Sequence, residues 1–463
     1  MTKKWKFWSG LLRNFFSPMT EKRVAEQELE AGAAKKPRLP KRKVALQIGY
    51  CGTGYHGMQV NPPHRTIEGD LFDALVKAGA ISEDNANDPK KSSFLRAART
   101  DKGVHAAGNV VSLKMIIEDP EIVAKVNAHL PEQIRVWGFT RTNRSFDCRR
   151  LCSSRVYEYV LPTYTLMSPS SLSSLGRVMT SQTDRLSNKD AVEVKESDEF
   201  WGKVYSDLAN SGISIEDAVQ ARKEDIEGTA TEESRATIQK VKQIENKHRR
   251  SYRVNAERLN KFREVLKEYQ GVHNFHNFTV RKYFKDPSAV RNMKTLTVGD
   301  PFVIDGTEWV SVKIHGQSFM LHQIRKMIAL AVLIIRTNSP VDVLKGLYEK
   351  DKVSIPKAPA LGLLLERPVY DAYNLRLGKL GRDHITFEPF EAEIDAFKHK
   401  FIYDRIYKQE AQENDFHAFF GYMDTYRLKD ILDYLLGVKS EEGNEVPAPE
   451  SESESDNDED NEG

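Results

Sequence analysis

Residues 166–248 break the apolar patterning of this chain and set the terms on which it can fold. They are rich in Ser, Thr, Lys, Asp and Glu, low in aromatics and without strand-like alternation. They read as a polar insertion, helical around Ile215–Arg222 and otherwise mobile. Ahead of them, Val44, Leu46, Ile48 and Tyr50 alternate with Ala45, Gln47 and Gly49, the period-two signature of a strand. A loop with Gly52, Gly54 and Gly57 follows, and Thr66 caps a helix carrying Ile67, Leu71, Leu75 and Ala78 on one face. Further strand-like runs are Asn109–Met115, Ile134–Phe139 and Val156–Leu161. Behind the insertion, Asn255 caps a helix with Leu259, Phe262, Leu266 and Tyr269, closed by Gly271. Strands are expected at Met293–Val303 and Glu308–Ile314, a helix from near Met320, and another opened by Ser339 as cap and Pro340 as first residue. Phe390–Gln412 and Phe416–Leu436 add a helical extension. The fold class is therefore α+β, two segments on one plan with mainly antiparallel sheets. The boundaries are a basic arm 1–43, an N-terminal α+β domain 44–165, the insertion 166–248, a second α+β domain 249–375, the extension 376–440 and an acidic tail 441–463.

Composition narrows the function. Three cysteines in 463 residues exclude a disulfide scaffold. The longest apolar run, Met327–Ile335, is far short of the roughly 18 residues of a membrane span and reads as a buried helix. A net charge of +2 conceals eleven acidic side chains and no Lys or Arg in 441–463, which leaves the rest of the chain at +13. A basic body points to a polyanionic partner. Lys35-Lys36-Pro37-Arg38-Leu39-Pro40-Lys41-Arg42-Lys43 has the form of a nuclear-import peptide, so an import carrier and the nucleus are expected. Met1–Thr20 mixes Lys and Arg with Trp5, Phe7, Trp8, Phe15 and Phe16 and no acid, the basis for a second, mitochondrial form.

The chemistry is concentrated in Arg96-Ala97-Ala98-Arg99-Thr100-Asp101-Lys102-Gly103-Val104-His105. Taken alone, Thr-Asp-Lys-Gly is a tight turn in which Asp bonds locally and Gly supplies positive φ. Three other strings accompany it: SFDCRRLCSSRVYEYV, with Phe146, Arg149, Arg155, Tyr157 and Tyr159; Phe319-Met320-Leu321-His322-Gln323-Ile324-Arg325-Lys326; and Ala360-Leu361-Gly362-Leu363-Leu364-Leu365. In this order, over about 44–165 and 249–375, the chain resembles the TruA-type tRNA pseudouridine synthases. YCGTGYHGMQ and GVHNFHNFT are most similar to their eukaryotic branch.

That resemblance implies two similar α+β domains flanking a central basic cleft, and an RNA isomerase that breaks the N1–C1′ bond of uridine, turns the uracil and joins C5 to C1′. No cofactor is needed for such a step. Asp101 would be the catalytic carboxylate, adding covalently or taking a sugar proton, with Arg325 paired to it. Tyr157 would stack on the uracil and assist loss of the C5 proton. Leu363 and Leu365 would floor the base pocket, Arg99 would fill the stack left by a flipped base, and His105 would also meet substrate. Tyr55, His56, Gln59, His276 and Phe278 are weaker cleft candidates. tRNA is the implied partner, at anticodon-stem and nearby uridines, with U2-type snRNA and mRNA as further targets and a monomeric state. A structural zinc is implied by resemblance only; the sequence shows no ligand set for it. Two rival readings are an RNA-binding chaperone of the same fold without turnover, and a nuclear scaffold working through its charged termini.

Overall fold

Lys41–Tyr50 forms strand β1, three residues ahead of the apolar alternation, because Lys41–Lys43 continue the ladder against Lys114–Ile116. The structure is a computed structural model describing residues 39–181, 191–425 and 427–437. The presequence, the acidic tail and the import cluster as far as Arg38 lie outside the described residues. Helix α1 (Ile67–Lys77) starts as expected, with the Thr66 hydroxyl accepting from the Gly69 N–H at 3.3 Å. Then come β2 (Leu95–Arg96), β3 (His105–Ile116), α2 (Ile122–His129), β4 (Ile134–Arg141) and β5 (Ser154–Pro162).

The insertion is more helical than its composition suggested, with α3 (Ser174–Ser181), α4 (Ala191–Asn210), α5 (Ile215–Glu227) and α6 (Glu232–Ser251). Its few apolar residues are well spaced: Phe200, Val204 and Leu208 on α4, Ile238 and Val241 on α6. Ion pairs add to this packing. Arg222 and Arg249 both pair with buried Glu245, and Arg249 also meets His417 at 2.9 Å. Ser214 and Asp217 close a capping box at the start of α5.

The second half continues with α7 (Ala256–Lys267), β6 (Gly271–Asn274), β7 (Val290–Val298), β8 (Phe302–Ile304), β9 (Thr307–Gly316), α8 (Gln323–Arg336), α9 (Val343–Gly346) and β10 (Leu363–Val369). The run expected as one strand over Met293–Val303 is two, divided after Val298. Ser339 caps nothing: its hydroxyl donates to the Leu435 carbonyl at 3.0 Å, and α9 begins only at Val343. The extension comprises α10 (Asp371–Lys379), α11 (Glu391–Phe397), a π-helical turn (Lys398–Tyr403), α12 (Asp404–Glu413), α13 (Asp415–Met423) and α14 (Lys429–Leu436).

One sheet runs through both halves in the order β4-β1-β3-β10-β5-β9-β7-β6, with β2 on β3 and β8 on β9. β5, before the insertion, pairs along its length with β9, after it, so one sheet joins the segments on either side of the insertion. β10 lies between β3 and β5, parallel to the first and antiparallel to the second; the other pairings are antiparallel. Gly362 leads into β10 so tightly that a β-carbon would sit 2.3 Å from the Val160 carbonyl oxygen.

Adjacent strand residues point to opposite faces, which separates Tyr157 from Glu158. Glu158 faces the extension: it accepts from Lys398 at 3.2 Å and the Tyr403 hydroxyl at 2.7 Å, and Lys398 also bonds Glu366. Phe397 meets Trp137 edge-on at 5.4 Å on that same side. Tyr157 faces the other way, toward the loop that precedes α8.

Candidate active site

The Asp101 turn is fastened from several sides. Gly103 takes φ +76, and the Val104 N–H donates to the Asp101 carbonyl at 3.1 Å. The Tyr50 hydroxyl lies 2.9 Å from Thr100 Oγ1, and the Met58 N–H donates to the Thr100 carbonyl at 3.1 Å. Gly57, at φ +80, lets the two loops meet, since its β-carbon would stand 2.7 Å from that carbonyl oxygen. Arg155 of β5 donates to the Ala97 carbonyl at 2.7 Å and ties the turn to the strand bearing Tyr157. The Asp101 side chain remains 34% exposed at the open end of this frame.

Tyr157 lies beside it, buried, with its ring edge-on to Phe319 at 5.1 Å. Burial pushes its hydroxyl up to about 12; the Arg155 guanidinium opposes this and the Asp101 carboxylate adds to it. Leu365 is in register with Tyr157, and Leu363 with Tyr159, so both leucines share the face of Tyr157 and lie buried under it. Arg99 is exposed, two residues from Asp101.

Two expected partners are placed elsewhere. Arg325 makes no ion pair with Asp101 among the described residues; its Nε donates to the Ala358 carbonyl at 2.6 Å instead. His105 belongs to the far face: Ala106 aligns with Leu365 and Tyr50, which turns its neighbour His105 away from Tyr157. There it is fully buried, Nδ1 accepts from the Gly52 N–H at 3.1 Å, and burial with the Arg405 charge pushes it down to about 4. His105 is thus a neutral core imidazole rather than a substrate contact. Tyr55 is also structural, donating to Asp70 at 2.6 Å beneath Arg65, and His276 and Phe278 are buried among aromatics. His56 is exposed and stacked on His64 at 4.0 Å, and Gln59 is half-buried.

The residue that sequence reasoning passed over is His322. Its Nδ1 lies 3.3 Å from Asp101 Oδ2. Its place three residues before Arg325 in one motif string was the available signal; its backbone conformation was not readable. Beside it, Thr279 donates to the Leu321 carbonyl at 2.9 Å and begins a loop with Arg281, Lys282, Lys285 and the 73% exposed Tyr283. Arg99 and Lys102 flank Asp101 in sequence, and the charges and ring of this loop are of the kind that suits a phosphate backbone. The described residues contain no group of three or more His, Cys, Asp or Glu arranged to hold a metal ion, so the implied zinc has no fitting ligand set there. No described helix is long and apolar enough to cross a membrane.

The profile of a family described as tRNA pseudouridine synthase matches residues 265–371. The chain is 52% identical over 459 residues to tRNA pseudouridine synthase 1 of Yarrowia lipolytica, spanning 93% of this chain and 86% of that protein. Against tRNA pseudouridine synthase 1 of Saccharomyces cerevisiae, identity is 53% over 424 residues, 90% of this chain and 76% of the relative. A further Saccharomyces cerevisiae protein, tRNA pseudouridine(27/28) synthase, is 39% identical over 379 residues, 80% of this chain and 96% of its own length.

Proposed function

The chain belongs to the TruA-type tRNA pseudouridine synthase family and isomerises uridine to pseudouridine in tRNA, and on that premise we propose that Asp101 is the carboxylate that carries the chemistry. The reaction moves a base on its own sugar. It involves no redox change and no second substrate, and it needs no cofactor. One carboxylate suffices, whether it adds covalently or takes a sugar proton. The observation that supports Asp101 is its position: it is the exposed tip of a rigidly held turn, with the Tyr157 ring and a buried leucine floor beside it.

Uracil must leave its stack to reach this point, at a cost of a few kcal/mol. In our reading Arg99, Lys102, Arg281, Lys282 and Lys285 supply that energy through phosphate contacts, and Tyr157 receives the base on its face. We place the target uridines in the anticodon stem and nearby; one relative is named tRNA pseudouridine(27/28) synthase. Asp101→Asn should abolish tritium release from tRNA labelled at uridine C5, with tRNA affinity kept within about tenfold, or ~1.4 kcal/mol. Turnover by that variant removes Asp101 from the role.

A further inference from the structure

We propose that His322 is the positioning residue for the Asp101 carboxylate; this rests on the reading of Asp101 above. Three observations converge on it. First, His322 stands immediately before α8 with φ 59 and ψ 3, the left-handed region that a β-carbon disfavours. Second, the fold around it is closed without its ring. The Lys326 N–H donates to the His322 carbonyl at 3.0 Å, the Gln323 side chain accepts from the Met320 N–H at 2.9 Å, and Thr279 holds the Leu321 carbonyl. Third, the ring is nearly inaccessible, at 4% exposure, yet Nδ1 has no hydrogen-bond partner in the chain.

What Nδ1 faces is Asp101 Oδ2, at 3.3 Å and short of good hydrogen-bond alignment. A carboxylate only accepts, so the nitrogen turned toward it carries the proton. A small rotation completes an Nδ1–H to Oδ2 bond. That bond fixes one carboxylate oxygen and leaves Oδ1 to the substrate. Arg325 makes no ion pair with Asp101 among the described residues, and its Nε is held by the Ala358 carbonyl. An unpaired buried nitrogen and an unfavourable backbone are thus kept together where they serve the reacting group and not the fold.

The test separates backbone from ring. Glycine is at ease at this φ, so His322→Gly should fold with a Tm no lower than wild type and bind tRNA with unchanged KM. Its single-turnover rate should fall about 10²-fold, as expected for a misplaced reacting group. Added imidazole should restore part of that loss. His322→Asn, which tolerates positive φ and presents an N–H near the place of Nδ1–H, should keep most of the rate. A wild-type rate in His322→Gly overturns the proposal. So does a rate that falls together with Tm and is recovered by neither imidazole nor asparagine, because the role is then structural. Asp101→Asn is assayed beside them. Turnover there defeats the reading of Asp101, whereas inactivity there with full activity in His322→Gly defeats only the role of His322.

Discussion

A phenol pushed up to about 12 by burial keeps its proton at neutral pH, so Tyr157, in the role proposed for it, offers a neutral ring with a hydroxyl. Stacking asks only for the ring, worth roughly 1–3 kcal/mol per base. Removal of the C5 proton asks for the oxygen. Tyr157→Leu should be slow on either account. Tyr157→Phe discriminates: we expect it to lose about 10²–10⁴-fold in the last step, because the hydroxyl can take the C5 proton as it passes its own to a base such as the Asp101 carboxylate beside it. Single-turnover assays on one tRNA decide this, and a wild-type rate in the Phe variant leaves Tyr157 a platform only. His105 yields a prediction of another kind. Its folded value, pushed down to about 4, lies below the ordinary 6.5, so the unfolded chain takes up a proton that the folded chain refuses. Stability should therefore fall as pH drops from 6.5 toward 4, by roughly 3 kcal/mol from this residue. His105→Asn keeps an acceptor for the Gly52 N–H and should flatten that limb of the pH–Tm curve. An unchanged limb assigns the acid sensitivity to another group, such as His417, which burial also pushes down. The Asp101 turn was legible from Thr-Asp-Lys-Gly because turn chemistry is local. The face of His105 was not, since it depends on pairing with strands far away in sequence.

The π-helical turn at Lys398–Tyr403 shows what an element can do that its residues cannot do singly. Residues five apart diverge on an α-helix, and the wider turn brings Lys398 and Tyr403 onto the same Glu158 carboxylate. Lys398 also neutralises Glu366, leaving one buried cation among two carboxylates. The pair divides the strain: burial and the bond to Glu158 push Glu366 up, while Glu158 is held down, against its own burial, by that bond and by Lys398. Lys398→Met removes the cation and leaves both carboxyls buried, at a cost of about 3–5 kcal/mol. Urea unfolding should show this as a lower midpoint, partly restored by Glu366→Gln in the same chain. A midpoint that does not move makes the cluster incidental. Helices with strong caps, at Thr66 and Asn255, were readable because the capping side chain sits in the sequence next to the helix it starts. Ser339 offered the same signal and is used differently, because α14 brings the Leu435 carbonyl to its hydroxyl.

At the scale of the whole molecule, the extension is part of the core. It supplies Phe397, Lys398 and Tyr403 to the back of the sheet whose front carries Tyr157. A chain ended at Phe390 should lose cooperative unfolding and partition into the insoluble fraction, since Trp137 and the two glutamates lose their cover. A soluble truncated protein with a sharp transition and tRNA affinity shows instead that the front of the sheet stands alone. The insertion was legible as a boundary, because its composition changes abruptly. Of its helices only the one at Ile215–Glu227 was legible; the others were not, because they rest in part on ion pairs such as buried Glu245 with Arg249, residues that polarity scales count as exposed. The placement of β10 has a temporal consequence. A growing chain emerges from its first residue onward, and β3 and β5 are both made well before Leu363–Val369 can come between them. Until that late strand arrives, no backbone ladder joins the pieces that carry Asp101 and Tyr157. An unfinished chain on the ribosome is thus a poor enzyme, and activity appears only when synthesis is nearly complete.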